Sequence, residues 1–173
     1  MPTPTLSQTD TMPQQVAWRL FLTVHALATR RIDAELLAAG VLSFDDYDVL
    51  LTVNEAADET MRMSELAEAV LLSNSGMTRR VARLVERGLL HREQSRDDGR
   101  VFRVSLTRAG RRALEQAWDV YRGLIEDNFV RHLSAAEART LGGIFQRVLD
   151  RIGGAEHHGL LDAQVTDAPK PRS

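Results

Sequence analysis

Residues 64–107 read SELAEAVLLSNSGMTRRVARLVERGLLHREQSRDDGRVFRVSLT, and this stretch decides the fold. Ser64 is expected to cap a short helix from Glu65 to about Val70, with Leu66, Ala67 and Val70 turned inward. Leu71 to Asn74 make a tight turn. Ser73 then caps a further helix that runs to Arg87, where Gly88 stops it. Two short helices joined by a turn of a few residues form a helix-turn-helix. After Gly88 the apolar period changes from helical to alternating. Leu89 to Gln94 and Val101 to Leu106 read as two short strands around the polar turn Arg96-Asp97-Asp98-Gly99-Arg100. A hairpin directly behind a recognition helix is a wing.

The flanks are helical. Val16, Leu20, Val24, Leu27, Ile32 and Leu36 keep one apolar face from about Gln14 to Ala39, and Gly40 ends that helix. Ser43, with Asp46 three residues on, opens a second helix over roughly 44–56, and Glu55–Arg62 reads as a polar connection. Thr107 caps a long helix over about 108–131. Ser134 and Glu137 form a capping box for a last helix over about 135–152, ended by Gly153-Gly154. The expectation is a mostly α winged helix-turn-helix. Residues 43–107 are the DNA-binding lobe, and 14–42 and 108–152 are dimerisation helices. Residues 1–13 read as a disordered arm and 153–173 as a disordered tail. An intramolecular bundle is the alternative use of the outer helices.

The 173 residues carry a net charge of −2, but that charge is unevenly spread. Arg62 to Arg112 holds twelve arginines against six acids, a net of +6, and the remainder holds −8. A basic middle between acidic ends points to a nucleic-acid contact, although a solvated basic face has the same composition. On the helix beginning at Asn74, Met77, Val81, Leu84 and Val85 share the side that faces the core. Ser75, Gly76, Arg79 and Arg83 lie opposite, with Thr78 at the flank. Small polar residues at the first turn permit close entry into a major groove, and Arg79 suits a bidentate contact to guanine. Gly76 reads either as tolerance near a helix end or as close approach to a phosphate. Arg62, Ser64 and Ser73 are candidate contacts where helix N-termini meet phosphates. At the hairpin tip, Asp98 can hold Arg100 for insertion into a minor groove, with Arg96 and Arg103 as further phosphate candidates.

Other chemistries find little support. There is no cysteine, so disulfides and thiolate metal sites are excluded. The five histidines (His25, His91, His132, His157 and His158) form no metal-ligand spacing. No Gly-rich phosphate loop or nucleophilic triad appears, so no enzyme, metal or cofactor is expected. No apolar run reaches the ~18 residues of a membrane span. Met1 to Gln15 lacks the pattern of a secretory signal, which makes a cytoplasmic location the expectation.

Taken together, L-A-x-x-V, S-x-S-G-M-T-R, R-L-V-E-R-G-L-L-x-R, R-D-D-G-R and V-S-L-T-x-A-G, all within 66–110, resemble the MarR family of regulators. Tyr47-Asp48-Val49-Leu50 matches that family's second helix, and the resemblance extends over about 16–152. It implies a homodimer joined by the first and last two helices, a near-palindromic double-stranded operator, and repression. It also implies a pocket for a small aromatic or anionic effector between the dimer helices and the DNA-reading lobe. Asp48, Arg80 and Arg92 fall where the urate-responsive branch carries its sensing Asp and two Arg, and a bridge between Asp48 and Arg80 is expected. The extra N-terminal helix that supplies a Trp in that branch has no counterpart; Trp18 lies elsewhere. Trp18 and His25 read either as pocket lining or as interface packing. The competing functional class is a winged-helix module that binds protein or ligand without reading DNA.

Overall fold

The computed structural model describes residues 12–95 and 101–152. Its helices are α1 (Pro13–Ala38), α2 (Phe44–Glu55), α3 (Met63–Ala69), α4 (Asn74–Glu86), α5 (Arg108–Asn128) and α6 (Ala135–Ile152). Its strands are β1 (Thr60–Arg62), β2 (Leu90–Gln94) and β3 (Phe102–Leu106). They form one antiparallel sheet in the order β1-β3-β2, with Met61 opposite Val104 and Leu90 opposite Leu106.

Local chemistry sets the boundaries. Pro13 begins α1, where a missing N–H costs nothing. At its other end Gly40 takes φ +72°. The Gly40 and Val41 amides donate to the carbonyls of Leu37 and Leu36, which is a Schellman stop. The same pair of bonds closes α4 through Gly88 at φ +70°. It also closes α3, but there the left-handed residue is Leu71, at φ 55° and 80% exposed. A branched side chain in that region is strained. The turn between the two reading helices is therefore held by its hydrogen bonds against a local preference.

Tyr47, Val49, Leu50 and Val53 of α2 are fully buried, so α2 is the centre of the lobe. Around it pack Leu66, Met77, Val81, Leu84, Leu90, Val104, Leu114 and Ala117, drawn from α3, α4, α5 and the sheet. No polar or charged residue is buried among the described residues. The first turn of α5 abuts the end of α4. Thr107 Oγ1 accepts from the Gly110 amide and donates to the Gly88 carbonyl at 2.7 Å. A Cβ on Gly110 would collide with the Leu89 carbonyl, which accounts for the glycine that closes the L-T-x-A-G pattern.

Four expectations are corrected. The connection 55–62 contains β1, so the sheet has three strands and not two. Helix α3 starts at Met63, with Arg62 in the cap position and Ser64 already inside. Glu65 reaches back to accept from the Arg62 amide, so the cap is made by a carboxylate from inside the helix and not by the Ser64 hydroxyl. Helix α5 stops at Asn128, and Val130–His132 is a separate 3₁₀ turn, so 108–131 is not one helix. Val85 is exposed at 37%, at the rim of the buried face of α4.

Candidate nucleic-acid interface

Helix α4 carries its apolar residues on one side and its cations on the other. Met77, Val81 and Leu84 are completely buried, while Ser75, Thr78, Arg79 and Arg83 are exposed. Ser73 Oγ accepts from the Gly76 amide at 3.1 Å and lies 3.3 Å from Ser75 Oγ, so two hydroxyls sit together at the helix start. Thr78 Oγ1 donates to the Asn74 carbonyl, which leaves its lone pairs to accept. A Cβ on Gly76 would sit 3.1 Å from Ser73 Oγ, so the glycine also spares the cap from crowding. Arg79 and Arg83 have no ion-pair partner among the described residues. Hydroxyls at the helix start and unpaired guanidinium groups along the same exposed face form a surface suited to phosphates and base edges.

Arg62 and Ser64 lie exposed at the start of α3, with Arg62 drawn toward Glu65 at 3.7 Å. Arg103 lies on β3, opposite Arg62 on one side and Glu93 on the other. The Ser95 amide donates to the Val101 carbonyl at 2.8 Å and closes the base of the hairpin. Arg96, Asp98 and Arg100 lie outside the described residues.

Several of the twelve arginines in the basic middle serve the lobe itself. Arg80 donates to Asp45 at 2.7 Å and to Asp46 at 3.1 Å, and Arg87 donates to Asp46 at 2.8 Å. Arg111 grips Glu59 and reaches Asn54 at 3.3 Å, and its proton is held more tightly chiefly by that hydrogen bond to Glu59. Arg92 lies 3.9 Å over the Phe102 ring. The outward-facing cationic surface is therefore smaller and more sharply placed than the sequence count implies.

Four likenesses bear on this arrangement. A model of the MarR family matches residues 42–101, the span from the start of α2 into the hairpin. The HTH-type transcriptional repressor IacR of Pseudomonas putida is 28% identical over 129 residues, covering 75% of each chain. AbsC, a MarR family transcriptional regulator of Streptomyces coelicolor, superposes with a TM-score of 0.77 at 26% identity, over 86% of this chain and 99% of its own. Over residues 42–101 the chain thus matches the MarR family. A further member, Sco3205 of Streptomyces coelicolor, solved in complex with DNA, shares the fold at a TM-score of 0.76 and 24% identity, over 83% and 93% of the two chains.

The residues that the family resemblance nominated for an effector are only partly gathered. Asp48 and Arg80 are neighbours, but the expected bridge between them is replaced by the bonds from Arg80 to Asp45 and Asp46. Those two acids occupy the first turn of α2, where both guanidinium arms reach them. Asp48 lies two residues further on, toward Tyr121. Burial pushes its carboxyl up, with Asp45 adding to the rise and Arg80 opposing it. Tyr121 stacks 4.7 Å from Tyr47 and 5.9 Å from Phe44, and burial raises both tyrosines. Tyr47 Oη and Arg80 Nε are buried with no hydrogen-bond partner among the described residues. Trp18 and His25 are elsewhere, flanking Phe21 on the exposed side of α1, and Arg92 is committed to Phe102. An open cleft of about 370 Å³ between Gly40–Leu42, Arg87, Leu89, Ala113 and Gln116 includes none of the five.

The sequence reading missed Asp45 and Arg87. In the sequence Asp46 reads only as part of a helix cap. Nothing local signals an ion pair across 34 to 41 residues; two adjacent acids at a helix start were the only trace.

Proposed function

We propose that this MarR-family chain is a homodimeric transcriptional regulator that binds a near-palindromic duplex operator and represses until a small ligand releases it. The observation that carries the DNA reading is the two-sidedness of α4. Its buried face is fully occupied by the core, so Ser75, Thr78, Arg79 and Arg83 have no packing role. In this reading Arg79 reads a base, while Arg62, Ser64, Ser73, Gly76, Arg83 and Arg103 position the backbone. The wing residues Arg96, Asp98 and Arg100 serve the minor groove. Fluorescence anisotropy on a duplex selected by the protein from a random library tests this. Affinity should fall steeply with salt, with a slope of about −0.9 per phosphate neutralised. Arg79→Ala should cost ~1–3 kcal/mol of discrimination between the selected and a scrambled duplex. A winged-helix interaction module would instead select no sequence, even in dilute buffer.

The pairing reading rests on the outer helices. Trp18, Phe21 and Leu22 of α1 and Phe145, Val148 and Ile152 of α6 are all exposed, and Phe21 meets Phe145 at 5.4 Å. Exposed apolar surface on this scale marks an association site, and a second copy supplies the matching face. Light scattering should give twice the chain mass. For the effector, the orphaned Tyr47 Oη and Arg80 Nε beside Asp48 support a polar ligand under Tyr121, since buried donors without acceptors are costly. Loss of ligand-induced release in Asp48→Ala, with DNA affinity kept, is the expected result.

A further inference from the structure

The flank of α4 between its reading residues and its buried face carries a second device. Arg80 and Arg87 are seven residues apart, two helical turns, so they leave α4 on the same side, roughly 10 Å apart along its axis. Both end on the carboxylate of Asp46, one on each oxygen, at 3.1 and 2.8 Å, and Asp45 takes the second arm of Arg80 at 2.7 Å. The side chains of Arg80 and Asp46 are only 16% and 14% exposed, so the contact is shielded from salt and water. Asp46 is itself fixed. Its amide donates to Ser43 Oγ at 3.2 Å, and it lies in the first turn of α2, where the helix dipole favours an anion. The adjoining Phe44 amide donates to Asp33 of α1 at 2.8 Å, so the same end of α2 is also tied to the outer helix.

Two attachment points on one helix fix its rotation and its tilt together, which a single bridge cannot do. Arg79 is the immediate neighbour of Arg80 and points about 100° away around the axis. Any roll of α4 therefore moves Arg79 across the groove. We infer that Asp46 is the positioning residue for base readout: by holding Arg80 and Arg87 it aims Arg79 and Ser75, and it contributes specificity more than affinity. This rests on the DNA-binding reading given above. The charge balance makes the inference testable. Loss of the Asp46 charge frees Arg87 and leaves Arg80 with Asp45 alone, which strengthens attraction to any duplex, while the loss of aim weakens the fit to one.

The measurement is the ratio of affinities for the selected duplex and a scrambled duplex of equal composition, at fixed salt, for the full chain. Asp46→Asn, which keeps one acceptor oxygen but loses the charge, should lower that ratio about tenfold, as expected for losing one charge-assisted bond, with binding to the scrambled duplex unchanged or tighter. Asp46→Glu should restore most of the ratio. Arg87→Gln, at a half-exposed position that the fold tolerates, should lower it about threefold through loss of the second point alone. A parallel rise on both duplexes would make Asp46 a mere charge, and a parallel fall a mere stability contact; either overturns the inference. If the wild-type chain selects no sequence at all, the DNA reading itself fails and the inference falls with it.

Discussion

The lobe around α2 and the outer helix α6 are built from similar residues and end in opposite states. In the lobe, Leu50, Val53, Met77, Leu84 and Leu114 are sealed from solvent by their own chain. In α6 not one residue is buried, although its capping box is complete, with Ser134 Oγ and Glu137 bonded in both directions. Helix α6 is thus locally well specified and globally unfinished. Good caps and a periodic apolar face make a helix, but only a partner surface makes it bury that face. The contrast separates a lobe whose stability belongs to one chain from a helix, α6, whose apolar face its own chain leaves uncovered.

The strongest way to break this contrast is to cavitate each region in turn. Leu50→Ala should cost ~2–5 kcal/mol in urea unfolding, independent of protein concentration. Phe145→Ser should leave the dilute lobe intact and shift the melting temperature only where chains are concentrated enough to pair. Equal concentration dependence for both variants would refute the division.

A smaller effect probes the turn that joins the reading helices. Leu71 is exposed and left-handed, so Leu71→Gly should stabilise the lobe by ~0.5–1 kcal/mol in thermal or urea unfolding. A loss would mean that the leucine side chain makes a contact worth more than its strain.

The smallest effect is pH-dependent. Burial raises the Asp48 carboxyl above its unfolded value, so the folded lobe binds that proton more tightly than the unfolded chain. The sign follows: this group weakens the fold at pH values above its folded pKa and ceases to do so as pH falls through that value. Asp48→Asn should therefore melt higher than the wild type at pH 7, with the difference shrinking toward acid. A constant difference would assign the gain to packing.

Much of this was legible in the chain itself, for a physical reason. Caps and stops act over three or four residues, so Ser43, Ser73, Thr107, Ser134, Gly40 and Gly88 marked their boundaries correctly. The two faces of α4 followed from its period, apart from Val85 at the rim. Strand β1 was lost because three residues cannot show an alternation, and its pairing with β3 spans more than forty positions. The Asp46 clamp was lost for the same reason, since ion pairs between distant segments leave no local pattern. Asp48 and Arg80 were correctly placed near one another, but which carboxylate wins a guanidinium is decided by half a helical turn.

The contact between Gly110 and the Leu89 carbonyl welds the first turn of α5 onto the winged lobe. Helix α5 has 21 residues and so is about 31 Å long. Pivoted at its Asn128 end, a rod of that length turns a rocking motion of about 5° into roughly 3 Å of travel at the lobe, close to the spacing of successive base pairs. Two such chains joined at their outer helices would work as calipers do, a slight change at the hinge altering the span between the points by a full step of the ladder they measure.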